Sequence, residues 1–454
     1  MTPDAADWQA MTRQADPLAD RTIAAIVGPW SDAPGAMDAG MARLALVTRL
    51  MAGWTTNGSL ATWAPPAGTD AELGALLRAY LDEGRQLPSW ARPDAIELAE
   101  DVFMEYGPLS CTLLFCASLP ECYVLPHLAE VLHISGQLEA NTEYRIRQTA
   151  AMVFPVMMKG GLTTPDGGGV AQVLKVRLIH ATIRHLILHG PPEAARGRIA
   201  PGAPVTPATN MQAAMLAHGW DVDHLGLPCN QLELAYTLLT FGYVFLKGMR
   251  TLAEPLTPAQ EEATLHAWNV AGHVLGIREE LMAQSMDEAA RMFDSLQATA
   301  RATPAVPDVR PALGRALLDT MAKSIRVPLV RQLPVPLTRW LVGPVASREI
   351  GADERVGLLT RALFATGLIV TRVIDTVARI FLPGFSLTRM FTRVIGYQFL
   401  TRFLLDQTRP LTLPEELLQP MHGTVARWHH DARAPAWVNR LEDRMTTHGE
   451  WRPQ

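Results

Sequence analysis

Apolar residues recur at three- and four-residue spacing through most of this 454-residue chain, and no run of alternating β-branched residues bounded by hairpin turns interrupts them. A helix returns to one face every three to four residues, whereas a strand alternates, so the spacing dictates an all-α fold, a helical bundle. Pro and Gly break the pattern at Ala64 to Gly68, Gly160 to Gly169, Gly190 to Thr209 and Thr303 to Pro311. The breaks predict an N-terminal helical extension over 1–70, a body over 71–302, a C-terminal helical region over 312–423 and a tail over 424–454. No fixed-period repeat is visible, which argues against a solenoid.

A hydrophobic share of 48% with 19% charged residues leaves material for a greasy pocket as well as a core. The formal charge of -5, and the lack of any stretch that interleaves Lys and Arg with stacking aromatics, argue against nucleic acid as a partner. Cys111, Cys116, Cys122 and Cys229 lack C-x-x-C spacing and read as buried free thiols. The first twenty residues carry acids before any basic run and no apolar core, so no export signal is visible. The expectation is a cytoplasmic protein, or a secreted one if the natural N-terminus was trimmed. Late in the chain, Leu358 to Leu382 is strongly apolar but is interrupted by Arg361, Arg372, Asp375 and Arg379. Such a segment reads as amphipathic helix packed on the body or lying on an apolar surface, not as a membrane span.

Two strong helix candidates, Asn141 to Lys159 and Val170 to His189, are joined by a Gly-rich loop and are expected to be neighbours. At about 100° per residue, His180 projects beside Val173, Val176, Arg177, Ile183, Arg184 and Ile187. An imidazole in an apolar stripe, with a guanidinium one turn before and one after, suits a haem: a nitrogen for iron, a dry wall for the macrocycle, cations for the propionates. The same face equally suits ordinary hydrogen bonds and surface pairs. His185 and His189 project away from His180, so one helical turn cannot gather a zinc site.

Taken in order, LPECYVLPHLAEVLHISGQL (Leu119 to Leu138), EYRIRQTA (Glu143 to Ala150), RLIHATIRH (Arg177 to His185), NQLELAYTLLTF (Asn230 to Phe241) and WNVAGHVLGI (Trp268 to Ile277) make a set. In that set the chain resembles the latex clearing proteins and MpaB-type oxygenases, the rubber oxygenase catalytic domain. The resemblance implies haem b in a helical fold with a globin-like core, and cleavage of a C=C bond in a hydrophobic isoprenoid with O₂. It implies His180 as the proximal iron ligand, with Arg177 and Arg184 near the propionates and His185 as a second family histidine. On the distal side the family pattern of Arg, Lys and Thr reads Arg145, Gln148 and Thr149 here. A glutamine amide is a poor iron ligand and carries no charge, which implies an open or water-ligated distal position beside Gln148.

By projection Arg145, Thr149, Met152 and Val156 share an arc with Gln148 at its edge, while Arg147 points away. Glu130 is the nearest match, one residue out of register, to the family glutamate that takes an allylic proton; Glu121 and Glu139 compete with it, and a solvent-facing role is the plain alternative. Asn230 and Glu233 read as a capped helix start, with Thr237 matching a recurring family threonine. Gly272 and Gly276 read as close-packing positions, Trp268 as a core anchor and His273 as a structural histidine. Three functions stay open: an oxygenase acting on rubber or on a small prenylated metabolite, a haem-binding sensor or carrier without turnover, and a cofactor-free helical protein held on a membrane or lipid droplet through Val356 to Leu404.

Overall fold

The computed structural model describes residues 5–28, 36–136, 138–189, 215, 220–254, 256–303, 307–325, 331–353, 357–382, 385–405, 428, 431 and 434–446. Every regular element among them is helical, as the spacing requires. The chain begins with α1 (Ala5–Met11), α2 (Pro17–Val27), α3 (Ala36–Met51), α4 (Asn57–Thr62), α5 (Ala71–Gly84) and α6 (Pro93–Tyr106). α7 (Pro108–Leu113) runs through a π-helical turn, Leu114–Ser118, into α8 (Leu119–Cys122), followed by α9 (Pro126–Gly136), α10 (Leu138–Met157) and α11 (Gly169–Leu188). Next come α12 (Val222–Leu225), α13 (Gln231–Phe241), α14 (Tyr243–Thr251), α15 (Pro258–Leu275) and α16 (Met286–Arg301). The C-terminal helices are α17 (Arg310–Ser324), α18 (Pro334–Glu349), α19 (Leu358–Phe381), α20 (Leu387–Leu400) and α21 (Ala436–Thr446). The Gly190 to Thr209 break and most of the 406–454 segment lie outside the described residues.

Side-chain caps set several helix starts. Asp16 accepts from the Leu18 N–H and opens α2, while Thr56 with Ser59 and Thr257 with Gln260 form reciprocal caps on α4 and α15. Asn230 caps α13 through the Glu233 N–H at 3.0 Å, as its position suggested. One contiguous apolar core runs from Trp8 in α1 to Trp428, so the segments expected as an N-terminal extension and a C-terminal region share the body's core. The closest crossing lies between α7 and α20. There a Cβ on Gly396 would stand 1.6 Å from the Pro108 carbonyl oxygen, a position open to glycine alone.

α10 and α11 form the expected helical hairpin, and α11 also packs on α2 and α15. Gly272 does allow close packing, against Leu238, and Trp268 stacks on Phe241 with centroids 5.3 Å apart. Gly276 has a different task from the one expected: at φ +91° it ends α15 in the left-handed region, where a side chain would strike Asp16 and Arg177. Among the described residues no single helix is long and apolar enough to cross a membrane.

Candidate functional site

α11 holds His180 where its face meets α2 and α10. Burial, with the Arg184 and Arg145 charges added, pushes the imidazole down to about 4, so it is neutral at physiological pH. Its Nδ1 is buried without a hydrogen bond. His180 and Arg145 are enclosed by chain yet keep intermediate exposure, and Thr149 and Met152 of α10 and Val176 and Ile183 of α11 are half-buried. The arc read from the α10 sequence and the His180 face lie along the α10–α11 seam, with Val156 in the core.

The two arginines beside His180 are both paired with aspartates of the α2 segment. Arg177 donates to both carboxylate oxygens of Asp16, at 2.5 and 2.7 Å, and to the Val274 carbonyl at 3.0 Å. Arg184 donates to Asp20 and to the Pro228 and Cys229 carbonyls. Both cations are partnered by carboxylates at the start of α2. The spacing of α11 could not show this, because the partners lie 161 and 164 residues away. The pairs fix how α2 seats against the His180 helix.

Arg145 is the opposite case. Its guanidinium donates to the Leu132 carbonyl at 2.6 Å, and no carboxylate pairs with it among the described residues. Burial lowers its pKa, and the neighbours that act on it are Tyr123, Cys229 and Cys122. An enclosed cation without a counter-ion is costly and marks a place for an incoming negative charge. Lys175, also on α11, is a second cation that makes no ion pair among the described residues; burial pulls it down to about 8. Sequence reasoning passed over it, although a lysine inside the apolar run QVLKV was the available signal.

On α10, Thr149 lies over Arg145 and donates to its carbonyl at 3.1 Å, while Gln148 is exposed. Arg147 turns away from this arc as expected, into the protein, and donates to the Arg402 carbonyl. His185 stacks on His189 with centroids 4.1 Å apart, and His273 packs edge-on against Trp90. No group of three or more metal-ligating side chains gathers among the described residues. The four cysteines are buried free thiols, as expected.

Glu130 sits half-buried on α9, within electrostatic reach of His127; the Glu139 side chain lies outside the described residues. The carboxyls that burial raises are elsewhere. Glu121 reaches about 7 and accepts from Tyr236 and Gln297, and Glu100 reaches about 7 while accepting from the Gly160 N–H at 2.8 Å. Glu233 is pushed highest, to about 8, by complete burial. Neither of its oxygens makes a well-formed hydrogen bond, though the Asn230 and Cys229 N–H groups lie near enough to hold the pKa back. It borders a cavity of about 30 Å³ with His127, His224 and Asn230, room for about one water. Sequence reasoning saw only the capped N–H of Glu233; the carboxyl end of the same residue is the unusual one.

The helical fold thus brings a neutral imidazole on α11 and a guanidinium without a carboxylate partner on α10 to two packed helices. Residues 124–372 match the family described as ER-bound oxygenase mpaB/B'/Rubber oxygenase, catalytic domain, and the chain belongs to that oxygenase family. The rubber oxygenase of Streptomyces sp. (strain K30) is 24% identical over 319 residues, which span 69% of this chain and 66% of that protein. The structure of latex clearing protein LCP in the closed state shares the fold, with a TM-score of 0.60 and 19% identity over 96% of this chain and 89% of that one.

Proposed function

We propose that the protein is a haem b-dependent oxygenase that cleaves a C=C bond of a hydrophobic isoprenoid substrate with O₂, and that His180 holds the iron. The observation that carries this reading is His180 itself: a neutral imidazole enclosed by chain, within electrostatic reach of Arg145, whose buried Nδ1 has no hydrogen-bond partner. His127, His133 and His185 also have an unbonded buried ring nitrogen, and His180 differs from them in standing within electrostatic reach of Arg145. Haem would supply the O₂ chemistry, as it does wherever a protein provides only binding, orientation and exclusion of water.

The chain's own residues then divide the work. Val176, Ile183 and Met152 keep the seam dry, which strengthens every charge within it. Arg145 brings the unneutralised positive charge beside Thr149, and Lys175 is available to a carboxylate from the α11 side. Gln148 brings no charge to the pocket. For taking the allylic proton, Glu130 is the candidate by register, while Glu233, whose raised pKa keeps it mostly protonated at neutral pH, has a carboxyl suited to donate a proton. Rubber and a small prenylated compound are both substrates of the right chemistry.

An absorption spectrum of the protein expressed with ample haem, followed by incubation with polyisoprene latex or a prenylated small molecule under air, tests the proposal. The expected result is a Soret band and oxygen-dependent carbonyl products. No band would sink the cofactor assignment. A band without products would leave a sensor or carrier. An unchanged band in His180→Ala would move the ligand elsewhere.

A further inference from the structure

α19 is assembled inside out. Its charged residues are engaged with the body: Asp375 is buried and accepts from Ser386, Leu387 and Thr388, Arg379 donates to Glu254 and the Ala253 and Phe385 carbonyls, and Arg372, exposed at the flank, donates to the Thr251 carbonyl. Its apolar residues turn outward. Leu358 is 84% exposed, Phe381 79% and Ile380 73%, and Leu363, Ile369, Val370, Val373 and Val377 between them are exposed too. Over 24 residues, about 36 Å of helix, the outward arc is about 200° wide and carries no Asp, Glu or Lys. A soluble surface helix does the reverse.

One flank of this face opens into a groove of about 370 Å³ against α18, lined by Arg339, Arg361, Arg372, Trp340, Phe364 and Leu368. Arg372 lies over the Trp340 ring, 5.3 Å from its centroid, and Arg339 and Arg361 share the single carboxylate of Asp353, which leaves the groove net positive. We propose that α19 seats the protein on a phospholipid surface, its apolar arc in the acyl boundary and its arginine groove at the level of the headgroup phosphates. Guanidinium groups match phosphate geometry, and a tryptophan at the flank suits the interfacial layer. A second copy of the chain is the poorer occupant. A helix pair closes over a narrow seam and would leave most of a 200° arc wet, whereas a hydrocarbon layer covers it all. The inference does not depend on the cofactor.

Flotation of the full-length protein with vesicles of phosphatidylcholine, alone and mixed with phosphatidylglycerol, tests it. The wild type is expected to float with the mixed vesicles. A Leu363→Glu, Val370→Glu, Val377→Glu variant changes only exposed positions, so it is expected to keep its Tm while vesicle partitioning falls by at least about tenfold. An Arg339→Gln, Arg372→Gln variant is expected to lose the preference for phosphatidylglycerol. The proposal is overturned if the wild type stays unbound to both vesicles or if the triple variant floats as well as the wild type. It is also overturned if sedimentation velocity finds a dimer that the triple variant dissolves while neither protein floats.

Discussion

The α10–α11 seam and α19 break the same rule in opposite directions. At the seam, polar groups are buried and incompletely matched: the His180 Nδ1 makes no hydrogen bond, and the Arg145 guanidinium donates to a carbonyl but has no carboxylate beside it. On α19, apolar side chains are exposed without a cover, while every described charge on the helix has a partner. A chain selected for stability alone would exchange the two, since burying apolar area stabilises and burying an unpaired charge costs. The protein leaves both regions unfinished. The first waits for something polar to enter, and the second for something apolar to cover it.

The largest expected effect is at the seam. His180→Ala should abolish turnover and strip the nitrogen ligand from the iron, read by electron paramagnetic resonance and product assay. The wild-type ferric signal is expected to lack a second strong-field nitrogen, because Gln148 replaces the family lysine; finding two axial nitrogens would overturn that account of the distal side.

Next come two arginines that differ only in their partners. Arg177→Met breaks a buried ion pair and leaves Asp16 charged in the core, which should cost about 3–5 kcal/mol in denaturant unfolding. Arg145→Met removes a cation without a counter-ion, so the apo-protein should hold its stability or gain about 1 kcal/mol while activity is lost. If both variants destabilise alike, the contrast between paired and unpaired cations fails.

Smaller again is the carboxyl comparison. Glu233 is mostly protonated at neutral pH, so Glu233→Gln preserves its shape and charge state and should fold normally; it should lower kcat more than Glu130→Gln does. The smallest effect is on pH dependence. The folded pKa of His180 lies below its unfolded value of about 6.5, so its stabilising contribution is present above that value and is lost as pH falls toward about 4. Glu233 runs the other way, and its contribution fades as pH rises from about 4.5 toward 8. Thermal melts of the apo-protein should therefore show an acid limb that His180→Asn flattens and an alkaline limb that Glu233→Gln flattens.

Much of this was legible in the chain. The spacing dictated helices, and the projection of Val170 to His189 placed His180 in its apolar stripe. The α10 arc of Arg145, Thr149 and Met152 came from the same arithmetic, and the charges at Arg361, Arg372, Asp375 and Arg379 argued against a spanning helix. These are local properties, repeated every turn, and a helix cannot rearrange them. What projection misassigned were partners. Arg177 and Arg184 look free on their own helix, Gly276 looks like a packing glycine, and Glu233 looks like part of a cap.

By itself, then, the sequence determined which residues share a helix face, because backbone geometry repeats the same turn whatever surrounds it. Only the tertiary structure decided which charges on those faces are cancelled. Asp16 and Asp20 reach α11 from the start of the chain and take two of its cations, leaving Arg145 and Lys175 with theirs. Charge pairing acts through space between helices far apart in sequence, so no periodicity encodes it.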